Sequence, residues 1–336
     1  MTPAEKEAEK ISIAYQQALI LLGDAMLKEV LAAYKAVSIA NAASFATFSA
    51  KATALIYRYR KQARDIAVAE TQLTRALLTG STYSDWSDPF EGQPTIGELR
   101  LKLYSQLEAV GVKRPARARA IPPTTRATVD LIPEIEFEER REAKALDKEI
   151  EDTLRILGEE SLEDALKKIT KKTGAERDRL EAKTLETTSS NLAMGTERIA
   201  LNGARHYDSK VLAFDPKVQG WIRSHLPGAP DMPCGWCSML MSRGAVYASQ
   251  KSATSGPSDD GRYHSGCHCV AVKVYTRAQY NSERFALNRE YQSLWPQVTK
   301  GLHGDAAVSA WRKYIRKRNE AERPTKLRPA EDALAA

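Results

Sequence analysis

Apolar residues Ile11, Tyr15, Leu19, Leu22, Met26 and Val30 recur at steps of three and four, which places them on one stripe of a helix. A second stripe, Leu55, Tyr59, Ile66, Leu73 and Leu77, stops at Gly80, a glycine placed to end a helix. Pro3 with Glu5, Glu7 and Glu9 suits a helix start. The chain from Thr2 to about Leu78 therefore reads as two long helices, with the alanine- and serine-rich patch Ser38 to Ala54 as the place for a break. Helices this long form a hairpin or lie against another subunit, and a plain helical bundle is the simplest reading. Beyond a polar loop, Thr95 to Val110 predicts a short helix.

The pattern then changes. Between Gly111 and Pro133, Lys113, Arg114, Arg117, Arg119 and Arg126 stand among prolines and small residues, a composition that predicts an extended, solvated linker. From Glu134 to about Lys172, Leu146, Ile150, Leu154, Leu157, Leu162, Leu166 and Ile169 mark another helical stripe, with Gly158 as a hinge, and opposite charges at i,i+4 support it. A helix from Ala175 to about Asn202 is expected to end in Asn-Gly-Ala. The polar run Thr187 to Asn191 inside it reads as a partner-facing surface or a kink. Short apolar alternation between His206 and Ile222, with Tyr-Asp-Ser-Lys-Val-Leu-Ala-Phe at 207–214, predicts a strand, Val246 and Tyr247 a second, and Val270 to Tyr275 the clearest one. Tyr280–Leu294 and Asp305–Asn319 read as helices. The expected fold class is α+β, mainly α, with a small sheet braced late in the chain. Its expected parts are a helical region 1–110, a basic linker 111–133, a domain 134–300 and a basic helix and tail 301–336.

Composition narrows the class. With 43% hydrophobic and 28% charged residues in 336, the chain reads as soluble and globular. Its net charge of +7 permits a polyanionic partner without requiring one. No apolar run approaches the length of a membrane span, and MTPAEKEAEK has no signal-peptide core. The expectation is a protein made in the cytoplasm, with no membrane partner.

All four cysteines fall in one window, as PCGWC at 233–237 and GCHC at 266–269. Cys234 and Cys237 are spaced so that one turn aims both sulfurs at a point. His264, Cys267 and Cys269 supply three more donors, and His268 stands beside them. Thiolate and imidazole in two knuckles suit structural, tetrahedral Zn²⁺, with five donors for four places. Two disulfides, thiols that never meet and a redox-active CxxC are the alternatives. Clustered thiols in a reducing compartment favour metal over disulfides. The redox motif needs a buried strand before it and a helix after it in a βαβ setting, whereas LPGAPDMP reads as loop.

Near the end, Arg312, Lys313, Arg316, Lys317 and Arg318 crowd together with Trp311 and Tyr314 interleaved, followed by Arg323, Lys326 and Arg328. Such a cluster suits a phosphate backbone; a solvated face is the alternative. No Ser–His pairing and no HExxH signature is present, so no catalytic residues are expected. His206 and His225 read as surface or capping histidines rather than general bases.

Several stretches together resemble a known family: ARDIAVAETQLTRALLTGSTY at 63–83, the threonine-rich helix near 187 leading into TERIALNGA, then CGWCSMLMSRGAVY closed by YHSGCHCVAVKVY. This order is similar to the Mu F-like minor head proteins of tailed phages, in particular those of actinobacteriophages, over about Ala63 to Tyr275. The resemblance implies a minor capsid protein acting in head morphogenesis and in DNA packaging or ejection. It implies the portal protein, the major capsid protein or scaffold and packaged double-stranded DNA as partners. The expected location is inside the capsid near the portal, after assembly in the host cytoplasm. Cys234, Cys237, His264, Cys267 and Cys269 match its motif. Relatives are often fused to a capsid maturation protease, so an assembly enzyme built on the Cys/His cluster is the alternative. Only 61 residues follow Tyr275, too few for an ordinary protease domain.

Overall fold

The computed structural model describes residues 1–117, 121–227, 232–245, 267 and 269–322. Two long helices open the chain, α1 (Pro3–Tyr34) and α2 (Ala42–Thr79). The Thr2 hydroxyl accepts the Glu5 N–H while the Glu5 carboxylate accepts the Thr2 N–H, a reciprocal cap that fixes where α1 begins. Asn41 caps α2 after a short break at 35–41, and Gly80 ends it with φ 75°, a left-handed conformation that favours glycine. The predicted stripes are the buried faces of this hairpin.

Strand β1 (Ser81–Tyr83) follows, then α3 (Ile96–Ala109), which starts on a second reciprocal cap, Thr95 with Glu98. The proline-rich segment after it is pinned over its second half. Ile96 donates to the Thr125 carbonyl and Gly97 to that of Pro123, both at 2.8 Å, and β2 (Thr128–Asp130) pairs in parallel with β1. Val112 and Ala127 are buried. Helix α4 (Pro133–Leu154) leads through a π turn (Arg155–Glu159) into α5 (Glu160–Ile169). Gly158 lies in that turn, buried, where the Phe45 ring occupies the space a side chain would need.

Helix α6 (Gly174–Phe214) differs from the sequence reading. It neither kinks at the polar run 187–191 nor stops at Asn202, and residues 207–214 are helix rather than strand. Ala200, Ala204, Tyr207 and Val211 keep a helical spacing and are all buried, so the apolar face simply continues. Strand β3 (Gly220–Ser224) pairs antiparallel with β4 (Val270–Val274), Trp221 opposite Lys273 and Ser224 opposite Val270. Between them lies α7 (Gly235–Met241). The stretch expected as one helix from Tyr280 is two 3-10 turns, Arg277–Asn281 and Glu283–Phe285, then α8 (Ala286–Val298), because Ser282 is extended. Helix α9 (Gly304–Glu322) ends the described chain. The strand expected at Val246 and Tyr247, and the tail residues Arg323, Lys326 and Arg328, lie outside the described residues.

The architecture is α+β and mainly helical, with two two-stranded sheets among the described residues. One hydrophobic cluster runs from Ile11 through α2, α3, α6 and β4 to Phe285. A second, Met239, Leu240, Met241, Tyr291, Trp311 and Ile315, seats α7 against α8 and α9. Among the described residues no helix is long and apolar enough to cross a membrane.

Candidate metal centre

Three elements converge on the cysteines. Cys234 is the N-cap of α7: its sulfur accepts the Cys237 N–H at 3.4 Å, so the two-residue spacing becomes one turn. Cys267 and Cys269 lead into β4, whose pairing with β3 holds them beside that turn. Asn288 of α8, fully buried, donates to the carbonyls of Arg223 on β3 (2.6 Å) and Met241 at the end of α7 (3.3 Å). Trp311 of α9 donates to the Ser238 hydroxyl at 3.0 Å, which locks α7 from the other side.

The sulfurs of Cys237, Cys267 and Cys269, all buried, lie within 4.8 Å of one another, and half-buried Cys234 packs against them. Cys237 and Cys267 are 3.6 Å apart. A disulfide requires about 2.05 Å. A tetrahedron with zinc–sulfur arms of about 2.3 Å has edges of about 3.8 Å, so this spacing suits a shared metal. His264, the fifth predicted donor, and His268 lie outside the described residues.

The surroundings favour thiolate. Arg223, buried on β3, donates from Nη2 to both Cys237 (3.4 Å) and Cys267 (3.3 Å). Arg205 of α6 donates to the Cys267 carbonyl at 2.5 Å. The Cys237 thiol is held well below its ordinary range: its contact with Cys234 raises it, but hydrogen bonds from Cys267 and Cys269 and the Arg223 charge outweigh that. Cys269 is pushed up, first by its contacts with Cys237 and Cys267 and then by burial. The three thus titrate as a group. Cysteine spacing alone did not reveal Arg223 and Arg205. The signal for Arg223 was an arginine inside the apolar strand GWIRS, opposite Ala271 of β4 just after the second cysteine pair.

Among the described residues the surroundings of the CxxC differ from a βαβ unit. Cys237 faces Cys267 and Cys269 as well as Cys234, and the adjoining sheet is a two-stranded antiparallel pair, not a βαβ unit.

The basic cluster divides. Arg312, Lys313, Arg316 and Lys317 are exposed on α9. Arg318 instead pairs with Glu290 at 2.6 Å and lies over the Tyr291 ring. Trp311 is fully buried between Tyr291, Trp295 and Tyr314, so it is a core residue and no platform for a base. Beside the cysteines, Trp236, Arg312, Lys313 and Arg316 line a groove of about 690 Å³, with the Arg312 guanidinium 5.8 Å from the Trp236 ring centre. His206 is joined with Lys210 and Arg60 on the Glu142 carboxylate.

No curated protein and no solved structure matches the chain. Residues 133–294 match the model of the VG15 protein family, just under half of the chain but including every cysteine, and the match indicates a phage virion-related protein.

Proposed function

We propose that this is a tailed-phage minor capsid protein of the Mu F-like kind, associated with the portal on the head interior and acting in head morphogenesis and in DNA packaging or ejection. The family match over residues 133–294, which spans the cysteine centre, supports a phage virion-related protein, and the Mu F-like resemblance of the cysteine motifs supports the finer reading. In this reading the centre is a structural zinc clasp. Cys237, Cys267 and Cys269 hold the ion, and Cys234 or His264 completes the set. The ion ties α7 to the β3–β4 pair and performs no chemistry. A catalytic zinc keeps one position open for water, whereas here sulfurs converge from both knuckles and Arg223 offsets their charge. The exposed Arg312, Lys313, Arg316 and Lys317 face packaged double-stranded DNA, and the long helices offer the surface for the portal, major capsid protein or scaffold.

Protein composition of purified mature virions, counted against the portal subunit, tests this. A few copies per particle, retained after the exterior is washed, supports the reading. Absence from virions with presence in immature heads or lysate moves the assignment to an assembly enzyme, such as a maturation protease, or to a scaffold.

A further inference from the structure

Away from the cysteines, three ionisable side chains from three elements meet in the core. Lys273 of β4, Glu70 of α2 and Asp208 of α6 have side chains only 4%, 3% and 5% exposed. The Lys273 Nζ lies 2.5 Å from an Asp208 carboxyl oxygen and 2.9 Å from a Glu70 oxygen. It also donates to the Thr71 hydroxyl at 2.6 Å. The other Asp208 oxygen accepts the Tyr15 hydroxyl at 2.7 Å, and the other Glu70 oxygen accepts that of Thr74 at 3.2 Å. With the buried Arg284 guanidinium beside Glu70, two cations and two carboxylates are taken out of water, a costly arrangement in a dry interior.

We propose that Lys273 and Asp208 form an intramolecular isopeptide bond, with Glu70 as the proton acceptor. The Lys273 ammonium passes one proton to Glu70. The freed amine lone pair attacks the Asp208 carboxyl carbon, where Tyr15 holds the oxygen that gains negative charge. The second amine proton leaves with the carboxyl hydroxyl as water. The products are a secondary amide between Nζ and Cγ, one water and a neutral Glu70 carboxylic acid. No other reactant is needed, and charge is conserved at zero when Asp208 begins protonated.

The chemistry matches the setting. The Lys273 Nζ already touches the Asp208 carboxyl, so amine and acid are held side by side, the proximity that amide formation needs. Burial pushes the Asp208 carboxyl up to about 6, against the pull of Lys273 and with the help of the Glu70 charge, so the acid form that supplies the leaving water is accessible near neutral pH. Burial pulls Lys273 down while the Asp208 and Glu70 charges pull it up; once Asp208 takes up its proton that support weakens and Glu70 is left as the acceptor. At 2.9 Å from the amine, Glu70 is in place for that proton. Product formation removes buried charges and releases a water. The bond would join α6 to β4 and close a covalent loop around the whole cysteine centre. Thr71 holds the amine and Tyr15 the Asp208 carboxyl, and the Arg284 charge lies beside Glu70.

The test is the intact mass of the full chain, held folded until the mass is constant and then measured in denaturant under reducing conditions. The expected result is the sequence mass less one water, after allowing for the initiator methionine. Peptide mapping should give a branched species joining the Asp208 and Lys273 peptides. Lys273→Arg should show the full mass, as should Glu70→Gln with its helical circular dichroism retained. A wild-type chain at full mass, with Asp208 and Lys273 in separate linear peptides, or a water lost elsewhere, would overturn the proposal and leave the trio a buried ion cluster.

Discussion

Gly203 of α6 and Arg60 of α2 meet backbone to backbone: a Cβ on Gly203 would collide with the Arg60 carbonyl oxygen. The Arg60 side chain folds over the same crossing and donates to the Ile199 carbonyl at 2.7 Å. The glycine in Leu-Asn-Gly-Ala therefore permits a close helix crossing rather than ending a helix.

Gly203→Ala makes the sign of this effect measurable. In an isolated helix, alanine is better than glycine by about 1 kcal/mol. Here the added methyl must push two central helices apart, and overpacking of this kind costs about 1–3 kcal/mol. The variant should unfold at lower denaturant concentration than the parent. A gain in stability would show that the crossing is looser than described.

Cys237→Ser should release the metal and destabilise the domain. The substitution removes a sulfur from the centre and one of the thiolate partners of buried Arg223. Arg223 keeps Cys267, so the lost hydrogen bond to a charged group costs about 1.5–3 kcal/mol, and a structural metal contributes folding energy directly. Metal content and thermal melting, read together, check this. Unchanged melting with four reactive thiols would contradict the clasp.

Acid should weaken the α4–α6 contact through Glu142. Burial raises its carboxyl, but hydrogen bonding to His206 and the charges of His206, Lys210 and Arg60 outweigh this and hold it at about 2, below its ordinary 4.5. A depressed carboxylate contributes stability above its unfolded value and loses it as pH falls through the folded one. Melting temperature should therefore drop between about pH 4.5 and 2, with Glu142→Gln flattening that limb. Parallel curves for parent and variant would remove Glu142 from the account.

The basic face of α9 can be tested without disturbing its core side. Ala307, Trp311 and Ile315 are buried at i, i+4 and i+8, so truncation at Arg312 would also remove a packed residue. Changing Arg312, Lys313, Arg316 and Lys317 to glutamine spares them. Retention on double-stranded DNA at low salt should fall, and the slope of log affinity against log salt should shrink by up to about 0.9 for each phosphate that is no longer neutralised. Equal retention would leave this face solvated.

The helical hairpin was legible because its periodicity is local: Ile11 to Val30 and Leu55 to Leu77 face one partner over many turns. The cysteine centre was legible for a similar reason, since four thiols in one window leave little choice of partner. What stayed hidden depends on packing between distant segments. Gly203 looked like a helix stop because a close crossing and a C-cap both call for glycine, and only the positive φ at a true stop such as Gly80 separates them. Trp311 looked like part of a nucleic-acid face because its sequence neighbours are basic, although its i+4 relation to Ile315 already placed both on one apolar side. Arg223 and Lys273 stand in strands that read as apolar, and their partners lie on other elements. The composition of the stretch at 111–133 suggested a solvated linker, but could not show that its backbone would find partners on α3 and β1.

X-ray absorption at the zinc edge, on full-length protein purified under reducing conditions, addresses the structural-centre claim most directly. The account predicts about one zinc per chain with four ligands, sulfur-dominated at about 2.3 Å, all from the protein. Absence of zinc, or a water oxygen in the coordination shell, would contradict a closed structural centre and turn attention to the assembly-enzyme alternative.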